Sequence, residues 1–170
     1  MKKLLILSLI LLCSLMFGCV QQDQKAIEEK KITVVDPAGR TVEVPKNVSK
    51  VVAIGPGALR LVVYLQAVDK VIGVENAEKT WEVYTRPYRL ANPQLAELPT
   101  IGVGGPDDPQ PNVEEIMKLK PDVIFATVNA RYADNLQEKT GIPVVVVDYG
   151  TLGNFRTTQL FESIRVMGKV

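Results

Sequence analysis

The sequence predicts an α/β fold, a parallel sheet with helices on both faces, preceded by a β-hairpin. Three observations predict it. The apolar runs Val51–Ile54, Val71–Val74, Val123–Ala126 and Pro143–Val147 are continuous rather than alternating, the mark of strands buried on both faces. Helical stretches separate them, and strands joined by crossover helices pair in parallel. Glycine, polar and aromatic residues collect just after each run, where ligands approach an open parallel sheet.

The chain opens with Lys2 and Lys3, then an apolar run from Leu4 to Leu12 that continues through Leu15, Met16 and Phe17. That run is too short for an ordinary membrane-spanning helix and has the layout of a secretory signal. Gly18 and Cys19 follow, and the composition turns polar at once. This arrangement resembles the lipobox of prokaryotic lipoproteins, although Met16 stands where leucine is usual and Phe17 is bulky. The resemblance implies a signal peptide over 1–19, an acylated Cys19 anchoring the chain to the cell membrane from outside, and a tether over 20–31. Ordinary signal-peptidase cleavage or an uncleaved signal anchor are the alternatives. The two cysteines are Cys13, inside the signal run, and Cys19, so no disulfide is expected in the exported part.

Ile32–Val35 and Thr41–Val44 flank Asp36-Pro37-Ala38-Gly39-Arg40 and read as a hairpin closed by Pro45. After Val51–Ile54, Gly55-Pro56-Gly57 breaks the chain and a helix is expected over 58–68. Beyond the second strand, 75–98 reads as irregular, with short helical pieces and the aromatics Trp81, Tyr84 and Tyr88. Gly102 to Pro111 is a loop. Val113–Lys120 is a short amphipathic helix stopped by Pro121; Asn112 suits its N-cap, and Glu115 could complete a capping box. A helix over 131–140 ends at Gly141 in the C′ position. Another begins at Asn154 and runs to Val170, with Phe155, Leu160, Phe161, Ile164 and Met167 as its apolar stripe.

The net charge of +1 and the lack of any basic cluster interleaved with aromatics argue against nucleic acid as a partner. Gly55-x-Gly57 after a strand, with Glu75 ending the next, imitates a dinucleotide fingerprint, but Arg60 stands where the third glycine should pack and Pro56 removes a backbone donor. The chain has no histidine, which excludes His-based triads and the usual imidazole metal sites. Its serines form no nucleophile elbow. The pairs Asp107-Asp108 and Glu114-Glu115 read as solubilising charge. No enzyme activity, cofactor or resident metal is expected.

Together these segments resemble the periplasmic binding proteins of ABC importers for iron–siderophore complexes, haem and cobalamin. The most specific stretch is Asn112-Val113-Glu114-Glu115-Ile116-Met117-Lys118-Leu119-Lys120-Pro121-Asp122-Val123-Ile124, supported by Leu98-Pro99-Thr100-Ile101-Gly102 and by Thr140 to Asp148. The resemblance covers 32–170. It implies one Rossmann-like lobe of a two-lobed protein over 32–152, with the start of the interlobe helix over 153–170. The C-terminal lobe does not appear in the sequence, so truncation and weak ligand binding by this chain alone are expected.

The expected ligand is a metal chelate, such as a ferric siderophore or haem, or a corrinoid. The expected ligand-binding residues are Gly57 and Ala58, through amides at a helix N-terminus, Arg60 as a carboxylate partner, Trp81 and Tyr84 as apolar faces, and Asn129 and Tyr149 at strand ends. Glu114 matches the family glutamate that meets permease arginines; a solvated first-turn acid is its plainer role. The competing reading is a one-lobed interaction module that docks the permease or a separate C-lobe without binding ligand.

Overall fold

The structure, a computed structural model, describes residues 30–106, 109–150 and 157–170. Cys19, the signal peptide and nearly all of the tether lie outside these residues, as do Asp107, Asp108, Asn154 and Phe155.

The hairpin pairs β1 (Lys31–Val35) with β2 (Thr41–Pro45), in register from Lys31↔Pro45 to Val35↔Thr41. β1 starts one residue inside the expected tether. A four-stranded parallel sheet follows, with β3 (Val51–Ile54), β4 (Val71–Gly73), β5 (Val123–Ala126) and β6 (Val144–Val146) in the order β4-β3-β5-β6. The helices are α1 (Ala58–Tyr64), α2 (Ala77–Thr80), α3 (Pro87–Leu90), α4 (Val113–Leu119), α5 (Ala130–Thr140) and α6 (Thr157–Met167).

Side chains alternate across a strand, and that alternation splits the core in two. Val51, Ala53, Val123, Phe125 and Val145 pack with Val34, Val42 and Val44 of the hairpin, Leu59, Leu61 and Val62 of α1, and Val166 and Met167 of α6. Val52, Ile54, Ile124, Ala126, Val144 and Val146 face the other way, against Ile116 of α4 and Ala133 and Leu136 of α5. Helices therefore cover both faces, as the continuous apolar runs require.

Local chemistry sets the element ends. Asn129 caps α5 by accepting the Tyr132 N–H at 2.9 Å, and Gly141 ends it at φ 70°. Asn112 Oδ1 accepts the Glu115 N–H at 3.1 Å, which is half of a capping box. The reciprocal half is not made, because the Asn112 N–H donates to Ile101 O at 2.7 Å and Glu115 pairs with Lys118 at 3.3 Å. Asp122 accepts N–H bonds from Ser49 and Lys50 and the Ser49 hydroxyl, tying the entries of β3 and β5 together. Burial alone would raise its carboxyl, but these donors hold it below the usual aspartate range.

Helix α1 is shorter than expected. It stops at Tyr64, Gln66 sits at φ 60°, and the chain leaves through a 3-10 turn at Val68–Lys70. Apolar continuity through Ala67 and Val68 reflects their packing against the core after the turn, not further helix.

Candidate functional site

The carboxyl ends of β3, β4 and β6 open into a cavity of about 310 Å³. It is lined by Gly55, Pro56, Gly57 and Arg60 after β3, by Glu75, Ala77, Glu78 and Trp81 after β4, by Arg86 and Tyr88 of α3 and its approach, by Gly105 and Pro106, and by Tyr149 and Gly150. Four residues expected from the sequence, Gly57, Arg60, Trp81 and Tyr149, meet here.

Gly57 is required twice over. Its φ of +81° disfavours a side chain, and a Cβ would lie 2.8 Å from the Cβ and Cγ of Tyr149. The missing side chain lets the Tyr149 ring close over the start of α1. Tyr149 then holds Arg60: the guanidinium Nη1 donates to Tyr149 Oη at 2.7 Å. The same guanidinium lies 4.7 Å from the Tyr149 ring centroid and 5.1 Å from that of Tyr88, within cation–π range of both. Among the described residues no carboxylate comes within ion-pair distance of Arg60. The cavity thus displays an oriented positive charge between two aromatic rings.

The other cation of the lining is differently engaged. Arg86 is buried and pairs with Glu78 at 2.9 Å, while donating to Ala77 O and Trp81 O. Glu78 also pairs with Arg89 at 3.4 Å and accepts the Tyr88 hydroxyl at 2.8 Å. This hub holds the irregular chain between Ala77 and Asn92 in place, and keeps the Tyr88 ring where Arg60 needs it. Burial, then the Glu78 charge, push the Tyr88 phenol well above its ordinary value, so it stays neutral.

The cavity also holds a carboxylate that the sequence marks only as the acidic partner of a dinucleotide-like pattern. Glu75 is 6% exposed and accepts the Gly55 N–H with both oxygens at 3.1 Å. Burial pushes its carboxyl up to about 7, opposed by the Gly55 donor and assisted by Glu78. Gly104, at φ +72°, packs against it so closely that a Cβ there would lie 2.7 Å from Glu75 Cβ.

The remaining expected residues stand apart. Ala58 is fully buried and its N–H donates to Gly55 O at 3.3 Å, so that amide is already used within the turn. Tyr84 is 78% exposed on a 3-10 turn and does not line the cavity. Asn129 spends its side-chain oxygen on the α5 cap and is also outside the lining. Trp81, half exposed, lies at the mouth beside Gly105. Glu114 is exposed in the first turn of α4, away from the cavity lining.

A cleft at the strand ends of a doubly covered parallel sheet, with the Arg60 guanidinium held between aromatic walls, lies where open α/β sheets receive ligands. The family model for the periplasmic binding protein matches residues 51–170, and the chain belongs to that family. It is 30% identical over 144 residues to the molybdate-binding protein MolA of Haemophilus influenzae, covering 81% of this chain and 38% of that protein. It is 23% identical over 171 aligned positions to the uncharacterized ABC transporter substrate-binding lipoprotein YvrC of Bacillus subtilis, covering 95% of this chain and 49% of that protein. The chain therefore spans half or less of the length of these curated relatives. Among solved structures, a periplasmic solute binding protein from Veillonella parvula superposes with a TM-score of 0.65 at 25% identity, over 82% of this chain and 40% of that one. Molybdate-bound MolA superposes with a TM-score of 0.63 at 21% identity, over 82% and 46%.

Proposed function

We propose that this chain supplies the ligand-cradling lobe of a non-enzymatic solute-binding lipoprotein that works outside the cytoplasm and delivers an anionic, metal-containing solute to an ABC permease. One observation carries the reading: Arg60, held by Tyr149 and Tyr88 and unpaired with any described carboxylate, faces the cavity. A guanidinium kept ready between two rings suits the carboxylates of haem, the anionic groups of a ferric siderophore, or an oxyanion. The Trp81 and Tyr88 walls suit the apolar body of a chelate or corrinoid. A ligand here meets protein on one side, so an opposing surface completes its enclosure. Cys19 serves as the lipid attachment point, and Glu114 as a contact to permease arginines.

A second ligand class is favoured by a specific finding, the resemblance to a protein named for molybdate binding. Both classes place their negative charge on Arg60.

The sequence contains one tryptophan, Trp81 at the cavity mouth, so tryptophan fluorescence excited apart from the tyrosines reports on this site alone. The full chain in detergent, titrated with haemin, a ferric tris-catecholate, cyanocobalamin and molybdate, should show saturable quenching with at least one anionic probe. Arg60→Met should weaken that binding about 10- to 100-fold, the loss expected for a charge-assisted contact. Binding unaffected by Arg60→Met, or a preference for the uncharged corrinoid alone, would sink the anion reading.

A further inference from the structure

Glu75 poses a problem for an anion site. A buried carboxylate faces the same small space as Arg60, from the end of β4 rather than from α1, and no ion pair joins the two. Its surroundings hold it there. Gly55 N–H ties both oxygens from the β3 end, and Gly104 closes over the side chain from the loop after Ile101. The charged and titratable groups facing this space from the packed elements are Arg60 of α1, Glu78 of α2, Arg86 and Tyr88 around α3, and Tyr149 after β6. Arg86 is committed to Glu78, and Arg60 to Tyr149. No cation is paired with Glu75 among the described residues.

We infer that Glu75 is the specificity-determining group of this cavity: an anion enters only when a proton lies between it and Glu75, brought either by the ligand or by the carboxyl itself. This rests on the anion reading above and deepens it. The physical ground is that two facing acceptors without a shared proton repel, and that an acceptor left unpaired in a buried site is costly. A ligand presenting a hydroxyl or a protonated oxygen satisfies Glu75 at any pH. A ligand with no donor binds only the protonated form of Glu75. Since burial places that titration near neutrality, binding of such ligands should follow the protonated fraction.

The test uses the full chain, the Trp81 signal and the anions titrated above, whose charged oxygens carry no proton between pH 6 and pH 8: molybdate, the propionates of haemin and a ferric tris-catecholate. For whichever binds, affinity should fall about tenfold between pH 6 and pH 8, as the protonated fraction drops from about nine-tenths to one-tenth. Glu75→Gln keeps an acceptor for the Gly55 N–H and adds an amide donor. It should bind at least fivefold tighter at pH 8 and lose the slope. A retained slope in Glu75→Gln overturns the inference while leaving the Arg60 reading intact. Unchanged binding in Arg60→Met, or no binding of any of these anions by the wild-type chain, overturns both. Infrared titration of the ligand-free wild-type chain gives a check independent of the variants. A carboxyl band lost from Glu75 near pH 7 supports the inference, and a carboxylate persisting down to pH 5 in a chain that still binds one of these proton-free anions overturns it.

Discussion

Two buried carboxylates sit in two regions of this molecule and have opposite surroundings. Asp36, in the hairpin turn, pairs with Arg40 at 3.0 Å and accepts N–H bonds from Ala38, Arg40 and Val146. Arg40 in turn reaches Asp134 at 2.8 Å and Val144 O at 2.8 Å. Every strong valence there is used, and the effect is to pin the hairpin onto edge strand β6. Glu75, in the cavity, has one backbone donor and no described cation. Arg40 and Arg60 repeat the contrast, one saturated by carboxylates and the other held only by tyrosines. A buried charge whose partners are complete holds structure; one whose partners are incomplete is a candidate for a ligand.

The largest effect expected from this contrast is on the structural side. Asp36→Ala removes the buried partner of Arg40, which keeps only the exposed Asp134 and Val144 O, and leaves the Val146 N–H without its acceptor; breaking a buried pair on one side costs about 3–5 kcal/mol. Urea unfolding of the full chain should show that loss, with the affinity of the surviving folded fraction unchanged. A destabilisation below about 1 kcal/mol would mean the hairpin is held by its apolar face alone.

Glu75→Gln should act in the opposite direction. The folded-state value of about 7 lies above the ordinary 4.5, so the folded chain binds the extra proton between those values. The wild type's stability should therefore fall as pH rises from 4.5 to 7 and stay reduced above that. Relative to wild type, the glutamine variant should gain about 3 kcal/mol between pH 4.5 and pH 8. Denaturant midpoints at the two pH values measure it, and a difference that does not grow with pH breaks the comparison.

The fold was legible in the sequence because its signals are local. Val51–Ile54 and Val123–Ala126 announce buried strands by composition, and Asn112 and Gly141 mark helix ends by residue type. The end of α1 was not legible, because nothing in the residue types around Gln66 shows that its φ is positive. The site was half legible. Gly57, Arg60, Trp81 and Tyr149 follow strands, where polar and aromatic residues in such a sheet gather. Glu75 was visible only as the acidic partner of a nucleotide fingerprint. Its actual partner, Gly55 N–H, lies twenty residues away and reaches it only through the pairing of β3 with β4. The Arg86–Glu78–Tyr88 hub is likewise set by the packing of short helices, which no periodicity encodes. Tyr84 and Asn129 had the right chemistry near the right strand ends, but a turn and a helix cap took them elsewhere.

Gly57→Ala tests the joint between the two regions' logics, since it is a backbone requirement that serves the site. The added methyl meets Tyr149 at 2.8 Å and the φ of +81° strains any L side chain. A loss of about 1–2 kcal/mol is expected. Displacing Tyr149 should also weaken anion binding, because Arg60 loses its hydroxyl partner. Destabilisation without any change in binding would show that Tyr149 packs beside the site without orienting the guanidinium.

Arg60→Met should have the smallest effect on stability. The substitution removes one hydrogen bond and two cation–π contacts at a partly exposed position, together about 1 kcal/mol at most once the methionine repacks against the same rings. Arg40→Met, by contrast, strands Asp36 among its N–H donors and breaks both ion pairs. The two arginines carry the same charge and both anchor loops at a sheet margin, so the pair of variants isolates what their partners are for. Near-native unfolding with lost anion binding in Arg60→Met, set against large destabilisation with retained binding in Arg40→Met, is the outcome the two environments require. Equal destabilisation by both would assign Arg60 to the scaffold, and the cavity would then lack its fixed charge for a ligand.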